Sequence, residues 1–285
     1  MPHEEDAFRL AFKHYKGLPA AEALAASKEP LQPKGDAFTS LSLHKDACLL
    51  SRGKLRDLGL HPDIETWLAF SVTSTPGLVL IRGAITIPGQ YYWAKLCLVD
   101  FASLSHRSNL GDLPCDPLQP GSKLRWATYG YHHDWDTKVY SDDWSPVPTE
   151  MVDLGLAIGS TLGYPAYKAE ASIVNYYLLN STFCPHVDKS ERNLAHPLIS
   201  ISIGQPCVFL VGGPTKQQEP TALALRSGDV LVMSGSSRLA YHAVPRVAQD
   251  PELTDIFTTT LNTYDPLIID YLSRHRINLN LRQVD

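Results

Sequence analysis

Basic charge is scarce in this chain, and so are paired cysteines and long apolar runs. Lys and Arg number 25 against 30 Asp and Glu in 285 residues, a formal net charge of −5. A protein that tracks long stretches of phosphate backbone is usually basic, because counterion release supplies much of its affinity. If this acidic chain acts on nucleic acid, it needs a local basic patch and a small contact footprint. The five cysteines (Cys48, Cys97, Cys115, Cys184, Cys207) are scattered, odd in number and never spaced as C-x-x-C. That pattern excludes a zinc-finger or disulfide framework and fits a reducing compartment. No apolar run reaches the roughly 20 residues that a membrane helix needs, so no membrane partner is expected. The acidic opening Met-Pro-His-Glu-Glu-Asp is unlike a secretory signal or an arginine-rich transit peptide, and the expected location is intracellular.

What is present begins with helices and ends with strands. Residues 6–16 place Phe8, Phe12 and Tyr15 on one helical stripe, and an alanine-rich helix follows at about 19–27. From 28 to 64 the pattern is irregular and reads as loop over the core. Leu78-Val-Leu-Ile81 reads as a buried strand, leading through Pro88-Gly89 into a helix carrying Tyr92, Trp93, Leu96 and Val99. The three prolines between Gly111 and Gly121 mark a surface loop. A helix is predicted near 149–162. Eight β segments then follow, at 168–178, 185–189, 197–204, 206–212, 221–227, 229–234, 239–246 and 276–283. Ile199-Ser-Ile-Ser-Ile203 alternates as a strand with one buried face does, and Ser227-Gly228-Asp229 is a turn between strands. Residues 248–270 read as a long insertion before the last strand. Helices first and eight short strands after them favour an α+β fold, a double-sheet jelly roll on a helical support.

The chemistry concentrates in His186-Val-Asp188, with His242 fifty-four residues after Asp188 and Arg276 thirty-four residues beyond that. In an extended strand, side chains at i and i+2 point the same way, so His186 and Asp188 reach one centre without a bend. Two histidines and one carboxylate occupy one face of an octahedral Fe(II) and leave three positions open. A hydrolytic zinc site can use the same three residues. It has no need of the last strand, Arg276-Ile-Asn-Leu-Asn-Leu-Arg282, which puts Arg276, Asn278, Asn280 and Arg282 on one face. That face suits a solvated sheet edge, or a dicarboxylate bound by planar guanidinium groups. Asn175-Tyr-Tyr177 adds an amide and a phenol to one side of another strand. His132-His133, with Asp134 and Asp136, carries the residue types of a second metal site, but adjacent side chains diverge and an exposed loop is the better reading.

The chain resembles the AlkB family of iron and 2-oxoglutarate dioxygenases, most closely the branch of the animal homologue 1. The resemblance rests on Leu124-Arg-Trp-Ala-Thr-Tyr-Gly-Tyr131, Asn175-Tyr-Tyr177, His186-Val-Asp188, Met233-Ser-Gly235, His242-Ala-Val-Pro-Arg246 and Arg276 to Val284. It covers residues 65–285 well and implies a dioxygenase domain there, behind a helical and loop extension at 1–64. It also implies a lid segment at about 124–146. By resemblance, His186, Asp188 and His242 bind Fe(II), with 2-oxoglutarate as co-substrate and O2 as oxidant. Arg276, assisted by Tyr177, would pair with the distal carboxylate of 2-oxoglutarate. Asn175, Asn278 and Arg282 would hold its other end or orient the metal shell. Trp126 would stack on the target base, Tyr129 and Tyr131 belong to the same lid, and Arg246 would touch substrate or co-substrate. Asn280 departs from the family, which often carries threonine there. The implied activity is oxidative demethylation of a base in tRNA or DNA. N1-methyladenine in tRNA comes first, then N6-methyladenine in DNA or oxidation of 5-methylcytosine in tRNA. The nucleus, cytoplasm and mitochondrion are the expected compartments, and a monomer the expected state. An oxygenase acting on a protein such as a histone keeps the same metal residues and is the alternative. A binding module without catalysis has no use for the full set.

Overall fold

Strict two-residue alternation of side chains sorts this chain into layers. The computed structural model describes residues 6–30, 37–104, 106–111, 113, 116–261 and 263–285. Cys115, Pro114 and the first five residues lie outside them. Seven α-helices are described: α1 (Ala7–Gly17), α2 (Ala20–Ala26), α3 (Arg52–Asp57), α4 (Ile87–Lys95), α5 (Thr149–Thr161), α6 (Leu253–Thr260) and α7 (Pro266–Arg274). The first strands are β1 (Phe38–Leu41), β2 (Leu68–Val72), β3 (Leu78–Arg82), β4 (Arg107–Ser108), β5 (Trp126–Asp134), β6 (Val139–Ser145) and β7 (Ala171–Leu178). After them come β8 (Phe183–His186), β9 (Leu198–Gly204), β10 (Cys207–Val211), β11 (Thr221–Leu225), β12 (Val230–Met233), β13 (His242–Val247) and β14 (His275–Arg282).

The strands form two antiparallel sheets. The major sheet runs β1-β2-β3-β12-β9-β14-β7-β5-β4 with β6 paired to β5, and the minor sheet runs β11-β10-β13-β8. This is the double-stranded β-helix, and residue parity explains its layers. Ile199, Ile201 and Ile203 on β9 and Ile277, Leu279 and Leu281 on β14 join the large core under the helices. On β12, Val230 and Val232 face that core, while Leu231 and Met233 face the space between the sheets. On β10, Val208 and Leu210 turn outward to Phe8 and Ala23 of the N-terminal helices. Two thin apolar layers thus enclose an interior space, and that space carries the site.

Helix starts follow local chemistry. Thr86 accepts from the Gly89 amide at 3.0 Å to cap α4, and Asp265 accepts from the Leu267 amide at 2.9 Å to cap α7, with Pro266 in its first turn. All eight predicted β segments are present, within a few residues of their expected limits. Two expectations need correction. The stretch 28–64 contributes β1 at the sheet edge and α3 with buried Leu55, because both find partners elsewhere in the chain. The stretch 248–270 forms α6 and α7, whose Phe257, Ile268 and Leu272 are buried in the helical layer. The stretch 124–146 is a hairpin, and its first strand pairs with β7 from Trp126↔Asn175 to Gly130↔Ala171. Gly130 has φ +75°, and a side chain there would collide with the Glu170 carbonyl oxygen. At that residue β5 leaves β7, and the hairpin tip with Trp135 reaches the site.

Candidate active site

The site is built where the minor sheet's β8 and β13 face the polar side of the major sheet. His186 and His242 are direct partners across β8 and β13, with ring centroids 4.2 Å apart. β8 ends at His186, so Asp188 lies in the loop that follows rather than in the predicted strand 185–189. The loop still brings it in. His186 Nε2 stands 3.8 Å from Asp188 Oδ1, and His242 Nε2 stands 3.4 Å from Asp188 Oδ2. All three ligand atoms lie within 4.8 Å of one another.

The protonation pattern suits a cation. His186 Nδ1 lies 2.9 Å from the Cys184 carbonyl oxygen, and His242 Nδ1 lies 3.1 Å from the Ala240 carbonyl oxygen. A carbonyl only accepts, so each Nδ1 carries the proton and each Nε2 keeps its lone pair for a metal. Burial, reinforced by His242, pushes His186 down to about 4, which keeps its imidazole neutral. Burial alone would raise Asp188, but Arg282 opposite it and His242 beside it hold the carboxyl well below the usual range. Two imidazoles and a carboxylate are the donor set for Fe(II).

Opposite the ligands runs the polar stripe of β14. Arg276 is 2% exposed; its Nη2 donates to Ser202 Oγ at 2.8 Å, while its Nε has no partner. Tyr177 is its cross-strand neighbour. Asn278 donates to Ser200 Oγ at 2.8 Å and to the Ile201 carbonyl at 3.0 Å, and Asn280 donates to Asn278 Oδ1 at 2.9 Å. β14 lies between β7 and β9, so the alternative of a solvated edge strand is excluded. The pocket between the sheets is walled by Trp135, Phe209, Leu231 and Met233 as well as by the ligands and this stripe.

Comparison with known proteins agrees with this chemistry. The family model of the 2OG-Fe(II) oxygenase superfamily matches residues 77–282. The mouse nucleic acid dioxygenase ALKBH1 is 32% identical, over 98% of this chain and 84% of its own length. The chain belongs to the AlkB family of 2OG-Fe(II) oxygenases. The tRNA demethylase abh1 of Schizosaccharomyces pombe is 42% identical over 57% of this chain and 53% of its own. A solved structure of OsALKBH1 shares the fold, with a TM-score of 0.52 and 22% identity over 73% of this chain and 97% of that one. The chain is therefore a 2-oxoglutarate-dependent dioxygenase that uses Fe(II) and O2.

With AlkB membership established, the remaining expected residues sort by position. Asn175, Tyr177, Arg276, Asn278 and Arg282 all line the pocket. Arg282 is bound to Asp188 Oδ2 at 2.9 Å and to Glu191 Oε1 at 2.6 Å, so of its two expected roles the geometry favours orienting the metal shell. Trp126 sits behind Trp135, ring centroids 5.5 Å apart, and it is Trp135 that reaches the pocket. Tyr129 does not belong to the site. It is fully buried under the helices, and its hydroxyl donates to the Phe101 carbonyl at 3.0 Å. Tyr131 packs on the Arg192 guanidinium, 5.1 Å from its ring, and its hydroxyl bonds Asp285 at 3.3 Å. Arg246 points away from the pocket, to Asn180 Oδ1 at 2.8 Å and to the Lys16 carbonyl at the end of α1.

Several working residues escaped the sequence reading. Glu191 and Arg238 are buried beside the ligands, and Trp135 forms the pocket wall. In the sequence the hydroxyls of Ser200 and Ser202 show only as the polar half of an alternating strand; in the fold they hold Asn278 and Arg276. His132 and His133 stand in β5 rather than in an exposed loop. His132 is buried against Thr128, and His133 Nε2 lies 2.9 Å from Ser190 Oγ. No second group of three metal-binding side chains exists among the described residues.

Proposed function

We propose that this dioxygenase removes methyl groups from bases in nucleic acid, with N1-methyladenine in tRNA as its first substrate. N6-methyladenine in DNA follows, or oxidation of 5-methylcytosine in tRNA. The observation that carries the reading is the packing of Trp126, at the start of β5, against Trp135 of the hairpin tip, which walls the same pocket as His186, Asp188 and His242. A methylated base must leave its stack to reach a buried metal, and an indole face replaces the lost stacking, by about 1–3 kcal/mol per base. Lys138, whose Nζ is 6.0 Å from the Trp135 ring, supplies positive charge at that tip. The names of the mouse and S. pombe relatives point the same way.

Each residue then has a task. His186, Asp188 and His242 would hold Fe(II). Arg276 would form a planar ion pair with the distal carboxylate of 2-oxoglutarate, its guanidinium now meeting the neutral Ser202 hydroxyl and Gln205 carbonyl, with Tyr177 beside it. Bound iron and 2-oxoglutarate supply, with O2, the oxidation of a methyl carbon while the co-substrate becomes succinate and CO2. The hydroxylated methyl leaves as formaldehyde and the base is restored. Phe209, Leu231 and Met233 make the pocket wall apolar and limit water around the reacting groups.

The test is succinate and formaldehyde release by iron-loaded protein, comparing N1-methyladenine tRNA with N6-methyladenine DNA and using Asp188→Ala as control. Formaldehyde from the tRNA, lost in the variant, is the expected result. Succinate without formaldehyde from either substrate would move the target to 5-methylcytosine or to a polypeptide. Background turnover of 2-oxoglutarate with every substrate would sink the reading.

A further inference from the structure

Asp188 is gripped at two points by two different arginines. Arg282 Nη2 donates to its Oδ2 at 2.9 Å, and Arg238 Nη1 donates to its backbone carbonyl at 3.3 Å. Both guanidinium groups then turn to one partner. Arg282 Nη1 reaches Glu191 Oε1 at 2.6 Å, and Arg238 Nη2 reaches Glu191 Oε2 at 2.8 Å. The side chains of Glu191, Arg238 and Arg282 are 1%, 2% and 7% exposed. Tyr140 adds its hydroxyl to Glu191 Oε1 at 3.5 Å.

The elements joined by this bridge are the ones that carry the metal ligands. Arg282 ends β14 of the major sheet, and Glu191 lies three residues beyond Asp188. Arg238 sits in the 3-10 turn Gly235–Leu239 that leads into His242. Stability alone is a poor reason to keep such a bridge. Buried ionic groups lose so much hydration that well-packed apolar replacements are often equally stable. A carboxylate with one oxygen taken by a guanidinium, however, has only the other left for a metal.

We propose that Glu191 and Arg238 are positioning residues for the iron site: their bridge to Arg282 occupies Asp188 Oδ2 and leaves one carboxylate oxygen for the metal. Without the bridge, Asp188 would lose the contacts that hold its carboxylate in one orientation toward the metal. Outer partners of metal ligands commonly change affinity by about 10–100-fold. The inference concerns metal binding alone and stands whichever base the enzyme prefers.

The test is anaerobic Mn(II) binding to the full chain, with the visible spectrum of the Co(II)-loaded protein as a second readout. Glu191→Gln and Arg238→Met should each weaken Mn(II) binding by about 10-fold or more and alter the Co(II) bands. Arg238→Lys, which keeps the charge but not the fork, should lose less than Arg238→Met. Asp229→Asn, in a buried charge cluster of the outer layer, controls for a general loss of stability and should bind Mn(II) as wild type does. Wild-type affinity and Co(II) bands in folded Glu191→Gln and Arg238→Met would overturn the proposal. Should Glu191→Gln not fold, Arg238→Met decides: weakened binding with altered bands supports the bridge, and wild-type values refute it.

Discussion

Two clusters of arginines and carboxylates lie in this molecule, and an aspartate in each behaves in the opposite way. At the site, Asp188 and Glu191 meet Arg238 and Arg282. Elsewhere, Glu29, just after α2, and Asp229, at the turn before β12, meet Arg82 and Arg226. In the site the ion pairs of Arg282 and Arg238 measure 2.6–2.9 Å. In the outer cluster Arg226 holds Glu29 at 2.8 Å, but Arg82 stands 3.3 Å from Asp229 and 3.4 Å from Glu29. Asp188 is therefore kept an anion, well below the usual range, whereas burial pushes Asp229 up to about 6 despite Arg82. Burial alone does not decide the charge state; the quality of the partner's contact does. A metal site needs the anion, and a cluster that holds no metal ligand does not.

The largest expected effect breaks the site and spares the fold. Asp188→Ala should bring 2-oxoglutarate turnover to background while circular dichroism stays native; turnover close to wild type would remove the site's claim to the metal. Next comes Arg276, a buried arginine whose Nη groups donate to neutral acceptors, Ser202 Oγ and the Gln205 carbonyl, whereas those of Arg282 donate to carboxylates. Arg276→Lys loses the planar fork, so the KM for 2-oxoglutarate should rise by about 10-fold or more, which initial-rate kinetics would show. An unchanged KM would mean that its guanidinium is not the co-substrate clamp.

The outer cluster should answer in stability instead. Glu29→Ala leaves Arg226 and Arg82 without their shared partner and should cost about 2–3 kcal/mol in urea unfolding, discounted because Arg226 is partly exposed. Mn(II) affinity should not move. The smallest effect is a pH dependence. Asp229 takes up its proton more readily when folded than when unfolded, so its contribution favours the folded state below about pH 4 and is lost as pH rises through about 6. Asp229→Asn should flatten the unfolding free energy between those values by on the order of 2 kcal/mol. An equally steep dependence in the variant would place the titration elsewhere.

Parity explains both what was readable beforehand and what was misread. The alternation in β9 and β14 needs only the two-residue repeat of a strand, and the structure reproduces it from Arg276 to Arg282. The same rule already separates Trp126 from Tyr129, three residues apart in one strand and so on opposite faces; Tyr129 accordingly lies under the helices. For Arg246 parity misleads. His242 and Arg246 are four apart and should share a face. The register of β13 against β10 slips after Ala243↔Leu210, so that Arg246 pairs with Val208 on the outer side.

By itself the sequence determined the helices-then-strands order, the strand faces and the set of iron ligands. Each follows from local periodicity or from the coordination chemistry of residue types. Only the tertiary structure decided that the loop after β8 carries Asp188 to His242 and that Gly130 releases the hairpin so that Trp135 walls the pocket. It also decided that Glu191 ties two arginines behind the metal site. Glu191 and Arg282, for example, are 91 positions apart. Such contacts depend on bulges, turns and sheet packing, which no spacing rule along the chain encodes.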